Sequence, residues 1–210
     1  MNALTKEDQA AITPAGALAL LRSGNERFVA NRQAQRDLLQ QVQATSTGQY
    51  PFATILSCID SRVSAELVFD QGVGDIFSVR VAGNIVNDDL LGSMEFACKL
   101  AGTKLILVLG HTSCGAVKGA CDDARMGNLT TLLSKIKPAV QAVTTPEKPE
   151  ERTSQNLSFV DQVAETNVRL TIENVRKLSP VLRMMEEDGE ILISGAMYDI
   201  ASEVISPDLS

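Results

Sequence analysis

Two short apolar runs, each ending where reactive side chains begin, constrain this chain more than any other feature. Phe52-Ala53-Thr54-Ile55-Leu56 leads into Ser57-Cys58-Ile59-Asp60-Ser61-Arg62, and Leu105-Ile106-Leu107-Val108-Leu109 leads into Gly110-His111-Thr112-Ser113-Cys114-Gly115. Short, continuous aliphatic runs of this kind read as strands covered on both faces. Two further runs, at 76–81 and 191–196, bring the set to four. Helix-length segments separate them, at 63–70, 87–101, 114–122, 129–143 and 155–178. Strands alternating with helices imply parallel pairing through right-handed crossovers. The expected fold class is α/β: residues 1–210 form one domain with a mostly parallel sheet of about four strands, wrapped by helices.

Local signals place the helix ends. Thr13-Pro14 is an N-cap followed by proline at the first helical position, so a helix runs from 14 to about 30 with Leu18, Leu21 and Phe28 on one stripe. With residues 1–12 and the start of the Gln-rich segment 32–48, it forms an N-terminal arm over about 1–35. Asn87 or Asp88 starts the helix that Gly102 ends, with Leu91, Met94, Ala97 and Cys98 inward. Pro138 marks a kink or break in 129–143. Pro146 and Pro149 mark a loop over 144–151. The helix over 155–178 turns Phe159, Val163, Val168, Ile172 and Val175 inward, and Pro180 opens another.

Composition excludes several classes of function. A length of 210 residues with 44% apolar residues suits one sizeable core. A net charge of −7 argues against nucleic acid and against a polybasic membrane surface as partner. No run approaches the eighteen or so apolar residues of a membrane span. Residues 1–9 carry Lys6, Glu7 and Asp8, a net charge opposite to that of a secretory leader, so the expected location is cytoplasmic. In that setting some of the four cysteines suit metal binding better than disulfides. Cys98 and Cys121 fall among apolar helical neighbours and read as core. Glu186-Glu187-Asp188 reads as a solvated helix end. The chain has no Gly-x-Gly-x-x-Gly, Walker or Gly-x-Ser-x-Gly pattern.

Chemistry therefore concentrates at the two strand tips. Cys, His and Cys or Asp are ligand types that zinc takes in a tetrahedral site. Open α/β sheets place sites beyond the carboxyl ends of strands, where the strand order reverses. If the first and third strands are neighbours, their tips converge, and Cys58, Asp60, His111 and Cys114 meet. His111 is the only histidine. Used as a ligand, it leaves no other imidazole to carry protons, which must then depart through water, carboxylates or buffer.

Cys-x-Asp-x-Arg followed about fifty residues later by His-x-x-Cys resembles the β-class carbonic anhydrases, over roughly residues 15–200. The resemblance implies Zn2+ held by Cys58, His111 and Cys114, with an open fourth position for water. It implies reversible hydration of carbon dioxide to bicarbonate and a proton by zinc-bound hydroxide. Because two thiolates give the metal more negative charge than histidines do, its water should be less acidic and activity is expected to rise into alkaline pH. Arg62 would hold Asp60 off the metal, and Asp60 would orient the nucleophile. With that pair broken, Asp60 would itself ligate zinc and close the site. Gln49, Phe77, Phe96 and Gly115 match substrate-pocket positions by spacing, and Ala53, Phe77, Val81 and Phe96 are candidates for an apolar wall. Ile55 stands where the bicarbonate-inhibited branch has Trp, although Arg80 matches that branch, so the plant-like, non-allosteric branch is the expectation. The resemblance further implies a homodimer or higher homo-oligomer, with the N-terminal arm across the interface and Gln49 and Phe77 serving a neighbouring subunit. Two alternatives stay open on sequence. One is hydrolysis of carbonyl sulfide or carbon disulfide at the same site. The other is a non-catalytic zinc or redox protein, with Asp60 as a permanent fourth ligand.

Overall fold

In the computed structural model, which describes residues 2–206, the apolar runs become four parallel strands. They are β1 (Ala53–Ser57), β2 (Ile76–Arg80), β3 (Leu105–His111) and β4 (Leu192–Tyr198), in the order β2-β1-β3-β4. β1 and β3 are the inner pair and are buried at every position, as their unbroken apolar composition requires. β2 is an edge strand and only partly covered. The order reverses between β1 and β3, so the crevice at their carboxyl ends is the place where such sheets build sites.

Ten α-helices surround the sheet among the described residues: α1 (Lys6–Ala11), α2 (Pro14–Val29), α3 (Leu38–Ala44), α4 (Ala65–Val68), α5 (Asp88–Glu95), α6 (Gly115–Cys121), α7 (Gly127–Ser134), α8 (Lys137–Ala142), α9 (Leu157–Leu178) and α10 (Pro180–Glu187). On one face, Ala17 and Leu21 of α2 and Val68 of α4, with Phe69, pack on Ile55, Leu107 and Leu109. On the other, Met94 of α5, Val168, Ile172 and Val175 of α9 and Leu182 of α10 pack on Leu56, Ile106 and Val108. A third cluster caps the strand tips and includes Cys58, Ile85, Cys114, Ile136, Phe159 and Val163. The five inward positions expected on the long helix are all buried.

Start signals in the sequence act as caps. Thr13 accepts from the Gly16 amide, Asn87 from that of Leu90, and Asn156 from that of Phe159. The interiors of two segments differ from expectation. The helix expected over 87–101 changes pitch, and Phe96–Leu100 forms a π-helical turn with Ala101 N–H bonded to the Phe96 carbonyl. The wider turn keeps Ala97 and Cys98 inside while Phe96 is 53% exposed. Gly102 follows at φ +83°, a left-handed value that glycine adopts without strain. The segment 129–143 breaks ahead of Pro138 into α7 and α8, because proline fits the first turn of a helix and not its middle. Cys98 is buried as expected; Cys121, at the end of α6, is half-buried.

Candidate metal centre

The sheet register assembles the site. Ser57 pairs with Leu109, which brings Cys58, the residue after β1, alongside the end of β3, whose last residue is His111. A three-residue turn then returns the chain to α6, with Cys114 at its N-cap position. A sequence separation of 53 residues, from 58 to 111, closes into one cluster. The donor atoms of Cys58, His111 and Cys114 lie within 4.8 Å of one another, and all three residues are buried.

These donors fit a tetrahedral zinc ion. Two thiolate bonds of about 2.3 Å at the tetrahedral angle place sulfurs about 3.8 Å apart, and the Sγ atoms of Cys58 and Cys114 are 3.9 Å apart. The His111 Nδ1 lies 2.9 Å from the Thr112 carbonyl oxygen. A carbonyl there accepts, so the ring proton belongs on Nδ1 and the Nε2 lone pair is left for a metal. Nε2 is buried with no hydrogen-bond partner, a costly state for a polar atom unless something coordinates it.

Neighbouring backbone and side chains hold the ligand loops. The Gly83 amide donates to Cys58 Sγ at 3.3 Å. Gly83 has φ +70°, and a Cβ there would lie 2.5 Å from Ile136 Cδ1, so the position requires glycine. Arg80 of β2 donates through Nε to the Cys58 carbonyl at 2.9 Å and through Nη2 to the Asp60 carbonyl at 2.7 Å. On the other loop, Thr112 N–H bonds the Tyr198 carbonyl, Thr112 Oγ1 accepts from the Ile200 amide, and Ser113 N–H donates to Asp161 Oδ1 at 2.9 Å.

Charge within the cluster is uneven. The hydrogen bond from Cys114 lowers the Cys58 thiol pKa against the opposing effect of burial, with help from His111 and the Gly83 amide. The thiol of Cys114 is pushed up by its bond to the Cys58 sulfur and by burial. Two adjacent buried sulfurs thus favour one thiolate until a cation is present to stabilise both. Arg62 grips Asp60 with Nε to Oδ1 at 2.9 Å and Nη2 to Oδ2 at 2.7 Å, a bidentate pair. Those bonds hold the Asp60 carboxyl well below the usual carboxylate range. Asp60 Oδ2 is 4.0 Å from His111 Nε2, so the carboxylate borders the donor cluster while both its oxygens are tied to Arg62.

The carbonic anhydrase family model matches residues 53–205. Carbonic anhydrase 2 of Mycobacterium tuberculosis is 36% identical over 188 residues, covering 89% of each chain. The carbonic anhydrase of Mycolicibacterium smegmatis is 34% identical over 194 residues, covering 90% of each. Among solved structures, a tetrameric β-carbonic anhydrase from the ascomycete Sordaria macrospora superposes with a TM-score of 0.69 at 26% identity, over 80% of this chain and 85% of that one. The chain belongs to the β-class carbonic anhydrases.

Other positions expected to serve a β-class carbonic anhydrase site are distributed unevenly. Val81 packs against the cluster that contains Cys58 and Cys114. Gly115, the first residue of α6, is exposed beside Cys114, with open space at its Cα. Phe77 and Phe96 meet edge to face at 6.4 Å, in a groove of about 810 Å³ between the β2 edge and α5. That groove is not lined by Cys58, His111 or Cys114 of the same chain. Gln49 is exposed in the loop between α3 and β1. Ala53 cannot line the pocket: it begins β1, at the opposite end from Cys58, and is fully buried. Sequence reasoning missed Gly83, Thr112 and Asp161 as supports. A glycine just after a strand was a usable signal for Gly83; Asp161, on a helix 47 residues beyond Cys114, carried none.

Proposed function

We propose that this β-class carbonic anhydrase catalyses the reversible hydration of carbon dioxide on a Zn2+ ion held by Cys58, His111 and Cys114. The observation that carries the reading is a buried three-donor cluster whose potential fourth ligand, Asp60, is committed to Arg62. Bound there, zinc supplies the Lewis acidity that makes hydroxide available near neutral pH. Cys58 and Cys114 contribute two negative charges and His111 a neutral imidazole, a set that balances a dication. Asp60, kept ionised by Arg62, accepts a hydrogen bond from the nucleophilic oxygen and orients it toward the carbon. Val81 contributes an apolar wall suited to a neutral linear substrate. Protons leave through water, carboxylates or buffer, since His111 is the only imidazole.

The pocket is completed between subunits in this reading. Gln49, Phe77 and Phe96 are exposed or line the β2 edge groove, so a second copy seated there turns them toward a neighbouring Cys–His–Cys cluster. Ile59, Leu67, Phe96 and Leu100 are exposed apolar side chains of this region and suit such an interface. The placement of Arg80 supports assignment to the branch without bicarbonate inhibition, because its Nε and Nη2 are engaged by the Cys58 and Asp60 carbonyls.

Stopped-flow hydration of carbon dioxide, on protein with quantified zinc, tests the proposal. The expected result is one zinc per chain and turnover that rises from about pH 7 to about pH 9, depends on buffer concentration and disappears on chelation. Stoichiometric zinc without turnover at any pH would sink it, and turnover of carbonyl sulfide or carbon disulfide by the same preparation would identify the alternative substrate.

A further inference from the structure

The two ligand loops come from different strands, yet one helix touches the supports of both. We propose that α9 sets the geometry of the metal centre through Asp161 and Asn167, two positioning residues that act on Ser113 and Gly83. The inference rests on the metal reading above and concerns residues that do not themselves reach the donor atoms.

Asp161 acts on the turn between His111 and Cys114. Ser113 occupies the middle of that turn at φ +56°, a left-handed conformation that strains a side-chain-bearing residue. Its amide donates to Asp161 Oδ1 at 2.9 Å, and hydrogen bonds to a carboxylate are among the stronger ones. The bond therefore opposes relaxation of Ser113 toward ordinary backbone angles. Such relaxation would swing Cys114 relative to His111, because only Thr112 and Ser113 separate them.

Asn167 acts on the other ligand. It is almost fully buried, and its Nδ2 donates to the Gly83 carbonyl at 2.8 Å. The Gly83 amide in turn donates to Cys58 Sγ. The pull on the carbonyl fixes the peptide turn whose N–H faces the sulfur. Ala164, between these two residues, and Val168, just after them, face Gly110, immediately before His111: a Cβ at Gly110 would lie 2.6 Å from Val168 Cγ2 and 3.7 Å from the Ala164 carbonyl oxygen. The same helix thus lies close against the strand that carries the histidine and holds the backbone beside each cysteine.

The test is competitive titration of cobalt(II) into the metal-free full-length protein, with the sulfur-to-cobalt absorption recorded. Asp161→Ala is expected to weaken cobalt affinity about tenfold and to shift the absorption, the scale seen when supports of metal ligands are removed elsewhere. Adding Ser113→Gly should restore affinity to within about threefold of wild type, because glycine holds the left-handed angle unaided. Asp161→Asn, which keeps an acceptor, should also recover most of the loss. Asn167→Ala should weaken affinity to a similar degree. Should Asp161→Ala fail to fold, Asp161→Ser, too short to reach the amide, replaces it. Asp161→Ala affinity within about twofold of wild type with an unchanged spectrum, or no rescue by Ser113→Gly, overturns the role of Asp161; an unchanged Asn167→Ala overturns that of Asn167. Wild-type protein that takes up neither cobalt nor zinc at one per chain defeats the metal reading itself, a different result from normal wild-type binding with unaffected variants.

Discussion

In the proposed mechanism, Asp60 and Arg62 separate ligation from catalysis at the scale of single residues. Asp60→Asn removes the charge proposed to orient the nucleophile and leaves the three donors in place. Its kcat/KM is expected to fall about 100-fold, the usual order for a positioned proton acceptor, with zinc content by atomic absorption unchanged. Arg62→Ala frees Asp60 to approach the metal, so turnover should fall while zinc is retained at least as well against a chelator. Equal turnover in the variant would show that the pair is only a surface ion pair of little energetic weight. Cys58, His111 and Cys114 were legible in the sequence because a ligand type behind a strand is a local pattern, and the strands themselves were easy to find. Ala53 was misplaced because the apolar pattern of a strand does not say which end faces the site. The placement of Phe77 and Phe96 was not legible for another reason. Their contact depends on how the β2 edge meets the π turn after α5, and the sequence has no signal for that turn.

At the scale of elements, β3 and α9 meet so closely that the strand needs glycine just before its histidine. A Cβ at Gly110 would lie 2.6 Å from both Met197 Sδ and Val168 Cγ2. Gly110→Ala is therefore expected to cost about 1–3 kcal/mol by overpacking, measurable as a lower urea midpoint with an unchanged slope. An unchanged midpoint would mean that β4 and α9 yield without loss. Strand and helix positions followed from period and caps, whereas the order β2-β1-β3-β4 came from the structure, because pattern along a chain does not say which strands pair. Boundaries inside helices did not: the break before Pro138 was signalled by the proline, whereas the change of pitch at Phe96 has no marker among Phe96-Ala97-Cys98-Lys99-Leu100.

At the scale of the whole molecule, a buried charge ties the N-terminal arm to the domain. Asp70 accepts from Arg27 at 2.5 Å, from Arg36 at 2.5 Å and from the Ala34 amide at 3.1 Å. Burial alone would raise its pKa, but Arg27, the Ala34 amide and Arg36 outweigh burial and the net shift is downward. A lowered carboxyl pKa gives stability that is complete above the ordinary value of about 3.9 and is lost as pH falls through the folded-state value. Burial shifts Asp75 the other way. Asp70→Asn suits the left-handed backbone at φ +46° and removes only the charge. It leaves Arg36, whose side chain is 7% exposed, without its carboxylate partner. Urea unfolding at pH 7 should show a loss of about 3 kcal/mol, and the gap to wild type should narrow as pH falls below about 4. A gap that stays constant would assign the effect to packing. The sequence showed the arm as a helix with one apolar stripe, but not this anchor, because Arg27, Arg36 and Asp70 are brought together only by tertiary folding. The order of parts along the chain also has a temporal meaning. During synthesis the three donor residues of the cluster leave the ribosome by residue 114, whereas Asp161, Asn167 and the Tyr198 carbonyl, which bond Ser113, Gly83 and Thr112, emerge later. A nascent chain thus carries two soft thiols and an imidazole before it can hold them at fixed distances, and the cluster gains its full set of backbone bonds only once residue 198 has emerged.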